Sequence, residues 1–593
     1  MDILIKNTNI IDGLGKPGFI GDIGIKDKKI VLVGKSNVNL EADMVIDGTG
    51  LVTCPGFIDS HTHADLSIHE DSGAENFIMQ GVTSVVGGHC GISVSPAGDE
   101  DFFNSYMSML NIKIKREWNT FAEWLAFLEA KKTAVNYIPL VGHNLLRGAV
   151  LGKNCRRISE TKEIEAIKNI LNESLDAGAF GMSAGLDGGT AGHYANEIEI
   201  MELLNIIRKN NVLFSPHTKH HQNQWPSDNK KSAYGLYVGP KGEVMCGRYH
   251  GLMEVLEYAR RAEGVRMMIS HLTPIYMVPQ PHPSYLDEAI ARASLEEIIE
   301  KPRKEGMDIS FNVVAADYSI ASELPMIKSF FNQALARPEW LNALDKAGFT
   351  KGLHSKPFRE KLKKFVNSGK FKFGMLSPAT DPYWSACYRV ISCENKKYAG
   401  KTVFEMALGR SSRSIVETIY NEAIEVVCDI LMECPDTTWA LINDKREAGA
   451  YAEFLKHPFG MPCSDSVSFP ENPVGKGNIL DIGVPPCAYN MMPAFLLEMV
   501  KSRKSLSIAE AVKRLTSLPA EILGIKDRGV LKEGNWADIV ILDWDKLEVW
   551  HDFTRPERKP AGIQNVIVNG RIAYQNGSMK ASHNGMVLRK NKS

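Results

Sequence analysis

Two hydrophobic rhythms divide the chain. Near both ends, apolar and polar residues alternate over short runs closed by Gly, Asn and Asp. The N-terminal runs are "DILIKNTNIIDG", "GDIGIKDKKIVLVG" and "ADMVIDGTGLVTCPG"; the C-terminal ones are "RGVLKEGNWADIVILD" and "QNVIVNGRIAYQNG". A period of two punctuated by turn residues predicts strands joined by tight turns. The long middle instead alternates short apolar runs with amphipathic stretches of helical period, the pattern of βα units on a parallel sheet. The candidate strands are "FIDSHTH" (57–63), "VTSVVGGHC" (82–90), "NYIPLVGH" (136–143), "AFGMSAG" (179–185), "VLFSPHT" (212–218), "RMMISH" (266–271), "DISFNVV" (308–314) and "FGMPCSD" (459–465).

Eight such runs predict an α/β fold, a (β/α)8 TIM-like barrel over residues 55–526. Residues 1–54 and 527–593 would together form a small β-sandwich, because chain termini often meet at the surface. In such a barrel the chemistry gathers at the C-terminal ends of the strands. Two segments, 219–250 and 315–455, are far longer than connecting loops and follow strand ends on that face, so they read as lids.

Charge and cysteine usage narrow the class. A formal net charge of −1 leaves no electrostatic case for nucleic acid or an anionic membrane. The N-terminus lacks a signal-peptide pattern, and no run approaches the roughly 18 apolar residues that cross a bilayer. A soluble, cytoplasmic protein is expected, with self-association into a homo-oligomer left open. The ten cysteines are scattered. The pairs Cys387/Cys393 and Cys428/Cys434 are spaced too widely for structural zinc knuckles and read as packed, reduced thiols. The basic tail "RKNKS" reads as a solvated end.

The ends of the middle runs carry the candidate chemistry. His61 and His63 stand two apart on a strand and so point the same way. His217 and His271 sit at the ends of "VLFSPH" and "RMMISH", which brings four imidazoles to one barrel mouth, and Asp465 adds a carboxylate. Such a set binds a divalent cation, zinc being the usual partner. A metal-activated water needs a base that takes its proton and later returns it to the leaving group. The constellation therefore implies hydrolysis. Cys90 by itself is ambiguous between a buried filler and a zinc thiolate. His89, next to it, is expected on the opposite face. His143, His220 and His221 read as loop or packing residues.

"PGFIDSHTHAD", "QGVTSVVGGHCGIS", "AGAFGMSAGL", "SLPAEILGIKDRGVLKEGNWADIVILD" and "AGIQNVIVNG" resemble the corresponding segments of the amidohydrolase superfamily. Within it they resemble the N-acyl-D-amino-acid deacylase (D-aminoacylase) family over most of the chain. The resemblance implies a zinc enzyme acting on a small-molecule amide. Cys90, His217 and His271 would hold one tightly bound zinc, His61 and His63 a second, weaker position, and Cys90 would bridge. Asp465 would be the general acid/base. Hydantoinases and dihydroorotases commonly use a carboxylated lysine on the fourth strand, and "AFGMSAG" contains none.

The sequence departs from that family where substrate is recognised. Lys219 stands where the family usually has arginine, and Thr273 where it has lysine. Lys219, Arg147 and Thr273 are the candidate substrate contacts. Alternatives kept open are cyclic-amide hydrolysis or deamination at the same site, and an inactive binding barrel; the last should have lost a ligand or the acid/base, and none is missing.

Overall fold

The computed structural model describes all residues except 36–39, 110–111, 113, 188–189, 220–235, 239–243, 276–282, 284, 315–323, 332–337, 369–370, 372, 374–377, 379–383, 411–420, 442–444, 474–483, 486, 551–554, 556, 581–582 and 591–593. His220 and His221 therefore lie outside the described residues.

Parallel strands organise the middle of the chain, each pairing with its successor in sequence. Phe57–Asp59, Val82–Gly87 and Asn136–Pro139 form one sheet. Val141–Gly142, Gly181–Gly185, Leu213–His217, Arg266–Ile269, Asp308–Val314 and Gly460–Cys463 form a six-stranded one. The sheets meet at Leu140, whose N–H donates to Gly87 O at 3.0 Å. At the other side the last strand reaches the first: Ser464 N donates to Asp59 Oδ1 at 3.2 Å, and Asp465 N to His61 O at 2.9 Å. Val82–Gly87 is buried along its whole length, as expected of a strand covered on both faces. Several helices between strands are one-sided. Thr161–Asp176, for example, buries Ile164, Ile167, Leu171 and Leu175 at three- and four-residue spacing.

Both chain ends enter one nine-stranded sheet. Val52–Pro55 pairs antiparallel with Ile539–Leu542, with Ile539 opposite Pro55 and Leu542 opposite Val52. Period-two alternation splits this seam between two cores. Ile539 and Ile541 join Ile3, Ile5, Ile23 and Ile25 in an isoleucine-rich cluster, while Val540 and Leu542 face the main core with Val82 and Val85.

A buried polar network ties the terminal sheet to the parallel strands. Asp538 pairs with Arg528, accepts from Asn136 Nδ2 at 3.2 Å and from Asn569 N at 2.8 Å. Asn136 Oδ1 in turn accepts from Asn569 Nδ2 at 2.8 Å and from Met586 N at 3.1 Å. That last bond belongs to the C-terminal tail, which runs along strand Asn136–Pro139: Tyr137 N donates to Met586 O and Leu588 N to Tyr137 O, both at 2.8 Å. The solvated-tail expectation is thus corrected for Arg589 and Lys590. Arg589 bonds Glu129 Oε1 at 2.9 Å and Ala177 O at 2.7 Å, and Lys590 N bonds Gly178 O at 2.9 Å. Backbone pairing fixes the tail, and its basic side chains follow.

The stretch 315–455 carries a hydrophobic core of its own, in which Phe330, Phe371, Phe373, Trp384, Tyr388 and Trp439 pack. A three-stranded sheet of Leu324–Pro325, Tyr388–Ser392 and Thr438–Leu441 supports it. This is a packed unit, more than a loop. The other expected lid, 219–250, falls mostly outside the described residues; within it Leu236–Val238 pairs antiparallel with Val244–Cys246, and helix Gly247–Arg261 begins. The cysteines of the two widely spaced pairs are free thiols. Among the described residues, no helix is long and apolar enough to cross a membrane.

Asp538→Ala would strand the buried Arg528 guanidinium. The expected cost is about 3–5 kcal/mol of stability, read as a lowered unfolding midpoint in denaturant; an unchanged midpoint would remove the network from the forces that join the chain ends.

Candidate metal centre

His217 closes its strand, and the other residues of interest lie just past the strands that carry them. The first strand ends at Asp59 and His63 immediately precedes the short 3-10 turn Ala64–Leu66, so His61 and His63 are not paired by strand alternation as expected. Cys90 follows Val82–Gly87, and Asp465 follows Gly460–Cys463. Three of these positions bend the backbone into the left-handed region: Cys90 (φ 54°), His271 (φ 32°) and Asp465 (φ 52°). Side chains with a Cβ adopt that region at a cost, and such strain persists where surroundings enforce it. Here they do: His271 N donates to Asn312 Oδ1 at 2.6 Å, and Asp59 Oδ1 takes bonds from His61 N and Ser464 N.

The bends bring six side chains together. Cys90 Sγ lies 3.4 Å from His61 Nε2 and 3.3 Å from His271 Nε2. His217 Nδ1 is 2.9 Å from His271 Nε2. Asp465 Oδ1 is 3.2 Å from His61 Nε2 and 3.3 Å from His63 Nε2. Three overlapping ligand groups follow, each with its donor atoms within 4.8 Å of one another: His61, His63 and Cys90; Cys90, His217 and His271; His61, His271 and Asp465.

Burial sets the charge state of this cluster. It pushes the Cys90 thiol far above its ordinary range, with Asp465 and Asp187 adding to the effect, so the sulfur keeps its proton until a cation displaces it. It pushes the His271 and His61 imidazoles down toward the neutral, lone-pair-bearing form. Burial would lower His63 too, but Asp465 outweighs it and the net shift is upward. Burial alone would raise Asp465; the neighbouring imidazoles overcome it and hold the carboxyl well below the usual range. Asp465 Oδ1 is buried yet has no aligned hydrogen-bond donor among the described residues. Imidazole nitrogens, a sulfur and a carboxylate oxygen are brought close enough to offer their lone pairs to one shared cation. The donor set therefore fits a zinc-like ion, which accepts nitrogen, thiolate and carboxylate ligands.

The candidate substrate residues fare differently. Lys219 donates to Glu254 Oε1 at 2.7 Å, beside Tyr258, so its charge is already paired. Thr273 is half-buried two residues past His271. Arg147 is corrected: fully buried, it pairs with Glu199, donates to Ser159 Oγ at 2.9 Å and caps the carbonyls of Cys155 and Arg157. His143 bonds the same Glu199 at 2.7 Å, in keeping with a packing role.

His89 does not point away from the site. Its ring stacks on His61 with centroids 3.8 Å apart and planes 16° from parallel, and its Nδ1 lies 3.3 Å from Ser215 Oγ. Left-handed turns at Gly88 (φ 83°) and Cys90 interrupt the pleat, so alternation fails there. Sequence reasoning also missed Asp187, whose Oδ2 is 3.6 Å from His217 Nε2. Its signal was present, an acid directly after the fourth apolar run in "AGLDGG".

The chain is also similar to proteins of known activity. Residues 484–574 match the model of a family described as "Amidohydrolase family". The chain is 25% identical to an N-acyl-D-glutamate deacylase of Alcaligenes xylosoxydans xylosoxydans, covering 100% of this chain and 97% of that one. It is 24% identical to an N-acyl-D-aspartate deacylase of the same organism, over 99% and 95%. Among solved structures, an N-acyl-D-glutamate deacylase from Bordetella bronchiseptica, complexed with zinc and a phosphonate inhibitor, superposes with a TM-score of 0.69 at 22% identity over 99% of both chains. Over its full length the chain is similar to D-aminoacylases and N-acyl-D-amino-acid deacylases, and its C-terminal part matches an amidohydrolase family.

Proposed function

We propose that the protein is a zinc-dependent hydrolase of linear amides, cleaving N-acyl amino acids of D configuration, with Asp465 as general acid and base. The observation that carries this reading is the orphaned Asp465 Oδ1 among four imidazoles and a buried thiol. The likeness to deacylases of N-acyl-D-glutamate and N-acyl-D-aspartate supports the bond type. In the same reading the parallel strands close into a (β/α)8 barrel over 55–526, and 1–54 with 527–593 form a small sandwich. The Asp465–His61 backbone bond between last and first strands supports closure.

Cys90, His217 and His271 would hold the tight zinc, and His61 and His63 would contribute, with Cys90, to a weaker second position. When bound, the metal supplies Lewis acidity to the amide carbonyl and to water. Asp465, kept ionised by its imidazole neighbours, accepts the proton of the attacking water and delivers it to the departing nitrogen. Lys219 and Thr273, each two residues beyond a ligand, border the substrate. With Lys219 already paired to Glu254, recognition of the acyl amino acid differs from a simple lysine–carboxylate contact.

Asp465→Asn is expected to retain zinc while turnover falls about 10²–10⁴-fold; undiminished turnover contradicts the acid/base role. In Cys90→Ala, zinc measured by atomic emission on purified protein should drop below wild type, and full occupancy would exclude the sulfur as a ligand. Assayed with added zinc against N-acyl-D-amino acids, N-acyl-L-amino acids and cyclic amides, the protein should favour the first group. Preference for cyclic amides would overturn the linear-amide assignment.

A further inference from the structure

The loop that presents Cys90 is held by one hydroxyl from a neighbouring strand. Ser183, fully buried in strand Gly181–Gly185, receives a hydrogen bond from Gly91 N at 2.9 Å and donates one to Gly88 O at 2.5 Å. It thereby bridges the residue after Cys90 and the residue two before it. Between those two bonds the backbone runs through three left-handed residues, Gly88 (φ 83°), Cys90 and Gly91 (φ 71°). A Cβ on Gly88 would lie 2.1 Å from Leu140 O, and one on Gly91 would lie 2.3 Å from Gly185 N, so the loop is pressed against two strands. Asp65 Oδ1 accepts from Gly88 N at 2.9 Å, and Asn144 N donates to Gly91 O at 3.1 Å.

Cys90 is the one residue of these three with a side chain, and its left-handed conformation is unfavourable unless its surroundings impose it. Without the Ser183 hydroxyl, a buried carbonyl and a buried N–H on either side of Cys90 would lose a partner, and the loop would relax to recover them. Relaxation moves the sulfur, because the φ of Cys90 aims its Cβ. We infer that Ser183 is a positioning residue that fixes the Cys90 sulfur toward His271 and so sets the affinity of the metal position that Cys90 forms with His217 and His271. This rests on the reading of Cys90 as a metal ligand.

The test uses full-length protein stripped by chelation and refilled with cobalt(II), whose bond to a thiolate gives a near-ultraviolet charge-transfer absorption. Zinc affinity is measured in parallel by competition with a chromophoric chelator. Wild type should show the thiolate absorption and Cys90→Ala should lose it; its persistence in Cys90→Ala means that the ligand reading itself has failed. Given that control, Ser183→Ala should fold, weaken zinc binding about 10–100-fold and lose most of the thiolate absorption. Ser183→Thr, which keeps the hydroxyl, should recover both. A folded Ser183→Ala with wild-type affinity and absorption would overturn the positioning role. So would a Ser183→Ala chain that fails to fold, since the hydroxyl would then be a requirement of the fold and not of the thiolate.

Discussion

The arrangement depends on electrostatic crowding at one point, the Oδ1 atom of Asp465. Two imidazole nitrogens approach it within 3.3 Å, and two further histidines and Cys90 complete the cluster. Each of these groups can turn a lone pair toward one shared cation. The chain also bends Cys90, His271 and Asp465 into left-handed backbone to bring them there, at about 1–2 kcal/mol per residue. Strain concentrated on these residues marks a site whose geometry serves a ligand more than stability.

The scaffold absorbs these costs through bonds that do not depend on the ligand. Asp59 ties the ends of the first and last parallel strands, Asn312 holds the His271 backbone, and His89 stacks beneath His61. Further out, the Arg528–Asp538 pair and the C-terminal tail lock the terminal sheet to strand Asn136–Pro139. The unit within 315–455 keeps its own aromatic core, so its order does not draw on the metal residues.

Much of this was legible in the sequence because it rests on periodicity. The parallel strands follow from apolar runs, the shared terminal sheet from alternating ends, and the candidate ligands from polar residues recurring where those runs stop. What escaped was set by tertiary contact. Alternation placed His89 on the far side because the left-handed turns at Gly88 and Cys90 cannot be read from a period of two. Arg147 looked available because its partner Glu199 lies 52 residues away. The tail looked solvated because its order comes from backbone pairing, which composition does not encode.

The most direct measurement is X-ray absorption at the zinc edge on the purified, zinc-loaded protein. The expected spectrum shows a sulfur scatterer at about 2.3 Å together with nitrogen and oxygen at about 2.0–2.2 Å, the signature of a mixed thiolate, imidazole and carboxylate site. A shell of nitrogen and oxygen alone, or a protein that retains no zinc, would contradict it.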